Sequence, residues 1–366
     1  MSGPSARSHA PCTVVDRGIL RRNIEAAAAL AAGAGIALRP HAKTHKCREI
    51  AALQLAAGAV GLSVATVGEA EVFAGAGVRD LFIALPLWPG DDTAARLAAL
   101  CERAVLTVGV DSVEGVGALA DRVPASSGLR VAVEVDCGLG RTGTPPGTAG
   151  EVARAAGDAG YQVTGVFTFP GQSYQPGAAE DAAGQESAAL ARARGALEAA
   201  GVACPVRSGG STPSLGPALR RAGGDVVTEL RPGVYALNDA QQVTLGAAAT
   251  DDVALWVLGR VVSAPAPGRV VLDAGSKLLG PDRPPWVAGH GLLPDHPGAV
   301  VTGLWEHHAV VDLSACGRRP PAVGDTVRVV PNHVCTAVNL VDELLVVDGD
   351  DLLVGRWPVA ARGRNA

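Results

Sequence analysis

Only three of the 31 basic residues are lysines: Lys43, Lys46 and Lys277. Arginine takes every other basic position, so these three are candidates for work that a guanidinium cannot do. An amine can lose its proton and form an imine with a carbonyl, whereas a guanidinium stays protonated. Two of the three lie in RPHAKTHK (39–46), where His41 and His45 flank Lys43. Desolvation and neighbouring cations at such a place favour the nucleophilic free amine. Codon bias accounts for the scarcity of lysine, but not for two survivors in one histidine-rich stretch. Lys43 is therefore read as the catalytic lysine, with His41 beside it as a catalytic group.

Two further segments suit an anion. In SGGSTP (208–213) glycines let backbone amides approach a ligand, hydroxyls add donors, and the helix expected next favours negative charge at its start. Ser208, Gly209, Gly210, Ser211 and Thr212 are the expected binding residues. RPGVY (231–235) adds a second turn, in which Gly233 and Tyr235 would close over the same group. Either turn alone is ordinary. Together with an imine-forming lysine they point to a phosphorylated carbonyl cofactor, pyridoxal 5′-phosphate. EVDCGLGRTG (134–143) supplies Arg141, suited to hold charge on the cofactor's phenolic oxygen. FTFPGQSY (167–174) supplies Tyr174, suited to hydrogen-bond the pyridine nitrogen; a neutral partner there leaves the ring a weaker electron sink.

PNHVC (331–335) pairs an imidazole with a thiol. On an extended segment His333 and Cys335 would share one face, about 6–7 Å apart. Nitrogen and sulfur donors suit zinc, and two protein ligands leave positions open, as in a catalytic rather than a structural metal site. Ordinary strand packing is the alternative for this pair. Glu306, His307 and His308 form another polar cluster that could support it.

These segments need a scaffold that brings strand ends together. Short apolar runs at 35–39, 61–65, 80–85, 104–110, 129–135, 162–168, 204–207 and 226–230 alternate with helix-compatible stretches. The helices are expected at 48–57, 67–76, 94–103, 113–121, 149–159, 186–200 and 214–222, with one more near 20–32. This is the pattern of an α/β protein with a (β/α)8 barrel, although a doubly wound sheet alternates in the same way. Lys43, Arg141, Tyr174 and the two anion turns all follow predicted strands, at the barrel face where catalytic groups collect. After residue 245 the texture changes to Val/Leu-rich runs between Pro/Gly turns. The expected division is thus a cofactor-binding barrel at 12–245 and a C-terminal β domain at 246–366 carrying the metal motif.

Composition excludes several alternatives. Apolar residues make up 48% and charged ones 18%, which argues for a sizeable core and against disorder. A net charge of −5 without basic clusters gives no support for nucleic-acid binding. No apolar run has membrane-spanning character, residues 1–11 lack a signal core, and the seven cysteines include no CxxC pair. A cytoplasmic protein without nucleic-acid or membrane partners is expected.

Taken together, the motifs resemble the D-threonine aldolase and eukaryotic-type D-serine dehydratase family, whose architecture is the alanine-racemase-like fold type III. The likeness extends over residues 11–350 and rests on RPHAKTHK, EVDCGLGRTG, SGGSTP, ELRPGVYALND (229–239), LDAGSK (272–277) and PNHVC. The resemblance implies that Lys43 carries the cofactor, and that His333 and Cys335 hold a divalent metal that engages the substrate's β-hydroxyl. It implies zinc, with manganese or magnesium as alternatives, a small D-amino acid as substrate, and a homodimer. Retro-aldol cleavage of a β-hydroxy D-amino acid to glycine and an aldehyde is the expected reaction; β-elimination to a keto acid and ammonia is the alternative. A racemase fits less well because no tyrosine base faces Lys43, and a non-catalytic cofactor-binding protein would lack the β domain. The chain departs from the family in two places. Phe169 and Gln172 stand where histidines are common, and Glu306-His307-His308 replaces a Glu-Glu-His stretch.

Overall fold

In the computed structural model, which describes residues 5–221, 226–349 and 351–366, the alternating texture resolves into strands and helices close to those expected. The chain opens with β1 (Cys12–Asp16) and α1 (Arg17–Gly33). The barrel strands follow: β2 (Ala37–Leu38), β3 (Leu62–Val64), β4 (Asp80–Pro86), β5 (Val105–Val110), β6 (Arg130–Glu134), β7 (Gln162–Phe167), β8 (Val206–Gly209) and β9 (Glu229–Leu230). Between them run α2 (Arg48–Ala56), α3 (Val67–Gly75), α4 (Asp91–Cys101), α5 (Val113–Ala120), α6 (Ala149–Asp158), α7 (Ala179–Ala199) and α8 (Leu215–Arg221). The expected last residue of the helix at 214–222 lies outside the described residues. Helix α7 starts earlier than expected, with Glu180 and Asp181 in its first turn, where acidic side chains complement the helix dipole.

All eight barrel strands are parallel, in the order β2-β9-β8-β7-β6-β5-β4-β3. A bridge between His41 and Ser63 joins the two ends, so the ring closes and the doubly wound alternative falls away. The interior is not wholly apolar. Phe82 and Phe167 meet edge to face at 4.9 Å, and the buried Arg231 guanidinium lies 5.4 and 5.2 Å from their rings. Arg231 Nε donates to Ser208 Oγ at 2.8 Å, Ser208 Oγ donates to Glu229 at 2.6 Å, and Arg39 donates to Glu229 at 2.7 Å. Buried charges persist when each is paired in this way.

The other compact unit comprises residues up to Ala26, Thr44–Ile50 and Val234–Gly363. Its strands are β1, β10 (Leu255–Ala266), β11 (Arg269–Leu272), β12 (Val300–Leu304), β13 (Ala309–Asp312), β14 (Thr326–Val329), β15 (Glu343–Val347) and β16 (Leu353–Pro358). They form one mostly antiparallel sheet, with short helices α9 (Ala240–Thr244), α10 (Ser276–Leu279) and α11 (Val334–Asn339). A division at one point, 12–245 and 246–366, follows chain order; the compact units do not. The reason is local: β1 pairs antiparallel with β10 and parallel with β15, so the N-terminal strand belongs to the C-terminal sheet. Among the described residues no helix is long and apolar enough to cross a membrane.

Candidate active site

In the barrel unit, His41 ends the first strand's extension: it bridges Ser63 and donates its N–H to Pro232 O at 3.0 Å. Lys43 lies on the turn just after it, half-buried. Its Nζ sits 5.7 Å from the centre of the Phe169 ring, and the Arg141 guanidinium sits 5.3 Å from the same ring. The Tyr174 ring is 6.3 Å from it. Three of the expected cofactor residues thus gather around a phenylalanine. Glu134, Arg141, Thr142, Thr168 and Phe169 border one another here. Burial pushes the Glu134 carboxyl up, and the Thr142 hydroxyl, Arg231 and Arg141 offset only part of that rise.

The other two lysines have different surroundings. In the β unit, Lys46 is buried with its Nζ on Asn339 Oδ1 at 2.8 Å, and its carbonyl accepts from Ala361 N–H. Lys277 is exposed on α10.

The SGGSTP loop leaves β8 and enters α8. Gly210 has φ +87°, and a Cβ there would lie 2.7 Å from Leu230 Cδ2; a Cβ on Gly209 would lie 2.1 Å from Glu186 Oε1. Both positions therefore require glycine, and backbone can approach a ligand where side chains cannot. Ser211 and Ser214 exchange hydrogen bonds that fix the turn, and Ser211 Oγ also meets Ser173 Oγ at 2.8 Å. Ser208 Oγ is engaged by Glu229 and Arg231 on the barrel interior. Thr212 is buried in the loop, and Gly233 closes the turn after β9. Tyr235, which follows that turn, is buried within the β unit.

The metal motif sits differently from expectation. His333 is the N-cap of α11, with extended φ −136° and ψ 113°, and Cys335 is the second helical residue; the pair does not lie on a strand. The two side chains still interact, because the chain tightens into the helix between them. Within the same unit the Cys335 thiol donates to Thr44 Oγ1 at 3.2 Å. Asp239 is wholly buried and accepts the N–H of Gln242 at 2.9 Å and of Val334 at 3.0 Å. Its Oδ2 lies 3.4 Å from His333 Nδ1, within ion-pair reach but outside hydrogen-bond geometry. Burial pushes the His333 imidazole down, but Cys335 and Asp239 outweigh it and hold it up at about 11. A carboxylate near Nδ1 leaves Nε2 to face a metal, which must displace the proton there to bind, and the pair approaches the carboxylate–histidine–metal arrangement without its hydrogen bond. Imidazole and thiolate suit a divalent metal; among the described residues no group of three or more His, Cys, Asp or Glu side chains forms a fuller set. Glu306, His307 and His308 are exposed on the turn between β12 and β13.

Sequence reasoning quoted Arg231 and Asp239 only within motifs, without a role for either, and missed Glu186. Asp239 shows its capping role as an acid opening a short helix, but nothing local ties it to His333. Glu186 interrupts the apolar stripe Ala182, Ala183, Ala189, Leu190, Ala193 of α7, a signal that an acid is buried there.

Comparison with known proteins fits this geometry. Residues 15–240 match the alanine racemase N-terminal domain family and 254–347 the serine dehydratase domain family. D-threonine aldolase of Arthrobacter sp. is 35% identical over 98% of this chain and 94% of its own length. D-threo-3-hydroxyaspartate dehydratase of Delftia sp. (strain HT23) is 33% identical over 89% of this chain and 90% of its own. A solved cysteine-to-alanine mutant of a D-threo-3-hydroxyaspartate dehydratase, in its metal-free form, superposes with TM-score 0.87 at 30% identity, covering 97% of this chain and 98% of that one. The closed barrel, its strand-end lysine and these full-length likenesses place the chain in the alanine-racemase-fold family of pyridoxal-phosphate enzymes that includes D-threonine aldolase and D-threo-3-hydroxyaspartate dehydratase.

Proposed function

We propose that this chain is a divalent-metal-dependent pyridoxal-phosphate lyase that cleaves β-hydroxy D-amino acids to glycine and an aldehyde. The observation that carries the reading is the gathering of Lys43, Arg141 and Tyr174 around Phe169 in a barrel whose full-length relatives include a D-threonine aldolase. Bound pyridoxal phosphate supplies an electron sink for whichever bond to the substrate Cα breaks. Lys43 anchors that cofactor, and its amine takes or returns a proton at Cα. Arg141 offers a fixed positive charge, and the Phe169 ring lies against both Lys43 and Arg141. The SGGSTP turn would hold the phosphate in the shape its glycines permit, with Thr212 beside it, while Ser211 and the Gly210 amide brace the turn from behind. His333 and Cys335 would hold the metal, oriented by Asp239, and that ion would supply Lewis acidity to the β-hydroxyl.

Dehydration to a keto acid and ammonia is the second reading. It is favoured by Phe169 and Gln172: that loop carries no imidazole to take the hydroxyl proton, as an aldol cleavage asks. Incubating the protein with D-threonine, D-phenylserine, D-serine and D-threo-hydroxyaspartate, with and without chelator, separates the cases. Glycine plus aldehyde supports the first reading and keto acid plus ammonia the second. An L-enantiomer, or no product from any of the four, overturns both.

A further inference from the structure

Glu186 is an acid in an apolar place. It is fully buried on α7, its Oε1 accepts the Gly210 N–H at 2.5 Å, and its Oε2 is buried without a hydrogen-bond partner. The titratable groups facing it are Arg231, after β9, and the Cys137 thiol, after β6. Arg231 gives its donors to Ser208 Oγ and Thr168 O, and it also faces Glu229 and Glu134, so it is no dedicated partner for Glu186. A carboxylate with one oxygen unsatisfied is costly to bury, whereas the neutral acid still accepts from Gly210. Burial accordingly pushes this carboxyl up to about 7.

We propose that Glu186 is a positioning residue for the SGGSTP loop: as a neutral carboxylic acid it holds Gly210 in place, and it must keep its proton for the loop to accept a phosphate monoester. The inference rests on the reading that this loop takes the cofactor's phosphate. Gly209 fits the same account, since any side chain there would displace the carboxyl. A phosphate dianion at the loop and an ionised Glu186 behind it would repel each other at low dielectric. The bound state therefore raises the acid's proton affinity, and by linkage the ligand binds less tightly once the free protein has lost that proton. Glutamine keeps the acceptor and cannot ionise.

The test uses the cofactor-free protein and pyridoxine 5′-phosphate, which carries the phosphate but has no aldehyde for Lys43. Calorimetric titrations at several pH values compare wild type, E186Q and E186L, with circular dichroism to verify folding. Ionisation of the ligand's own phosphate is common to all three and cancels in the comparison. Between about pH 7.5 and 8.5 the wild-type affinity should fall about tenfold more than that of E186Q, the limit for one linked proton. E186L, which leaves the Gly210 N–H unsatisfied and also cannot ionise, should bind about tenfold more weakly than E186Q at every pH. Parallel pH profiles for wild type and E186Q, or an E186L affinity equal to that of E186Q, would overturn the proposal. Wild type that binds neither this probe nor pyridoxal phosphate would instead remove the underlying phosphate reading, and the proposal with it.

Discussion

The SGGSTP loop and the PNHVC segment are both short runs of small and polar residues, yet they spend their polar groups in opposite ways. In the loop, Ser211 bonds Ser214 and Ser173 and the Gly210 amide bonds Glu186, so side chains and backbone brace one another. What the loop offers a ligand is a shape that only glycines permit. In PNHVC it is the surroundings that are braced. Asn332 donates to Asp282 O and Gly289 O, and Val334 N–H to Asp239, which leaves the His333 and Cys335 side chains partly exposed as donors. The lesson is that a site built on backbone should fail through ligand affinity, whereas one built on two side chains should fail through chemistry.

The largest expected effect lies in PNHVC. Cys335→Ala and His333→Ala should keep the yellow cofactor and lose lyase activity by about 10³-fold, the scale of several kcal/mol of Lewis-acid stabilisation. Chelator should do the same to the native protein, and added zinc or manganese should restore it. Full activity in metal-free protein would erase the contrast between the two regions. Next comes Gly210→Val in the loop. The positive φ and the contact with Leu230 should weaken pyridoxal-phosphate binding by about 100-fold, while the melting temperature drops only a few degrees. A variant with native cofactor affinity would move the phosphate elsewhere.

Asp239→Asn sharpens the contrast. It keeps the shape but removes the charge behind His333, so metal affinity should fall about 10–100-fold with cofactor binding unchanged. Titration with a competing chelator reads this directly, and unaltered metal affinity would leave Asp239 as a helix cap only. The smallest effect is expected for Phe169→Leu. It replaces an aromatic face between Lys43 and Arg141 by an aliphatic one, worth about 0.5–1 kcal/mol, or a few-fold in cofactor affinity.

The barrel was legible in the sequence because strand and helix periods alternate cleanly, and because glycine-rich turns punctuate them at the strand ends. Boundaries moved where an element's fate depends on partners. Strand β2 shrinks to Ala37–Leu38, paired with β9 on one side, and the ring closes on the other through the His41–Ser63 bridge and backbone bonds such as Val60 N–H to Leu38 O. The membership of β1 in the other unit's sheet was not legible, since pairing with β10 is a contact of long sequence separation. The motif residues were found from composition and spacing. Their supports, Asp239 behind His333 and Glu186 behind Gly210, were not, because neither is near its partner in sequence. PNHVC sits in a stretch of β texture, which suggests an extended segment; the structure starts a helix there, with Asp239 accepting the first free N–H.

The central claim is that Lys43, and neither of the other two lysines, carries the cofactor. Protein loaded with pyridoxal phosphate should be reduced with borohydride, digested and mapped by mass spectrometry. A single pyridoxyl-labelled peptide with the label on Lys43 is expected, with loss of both label and yellow colour in Lys43→Ala. Label on Lys46, whose Nζ is held by Asn339, or on the exposed Lys277 would contradict it.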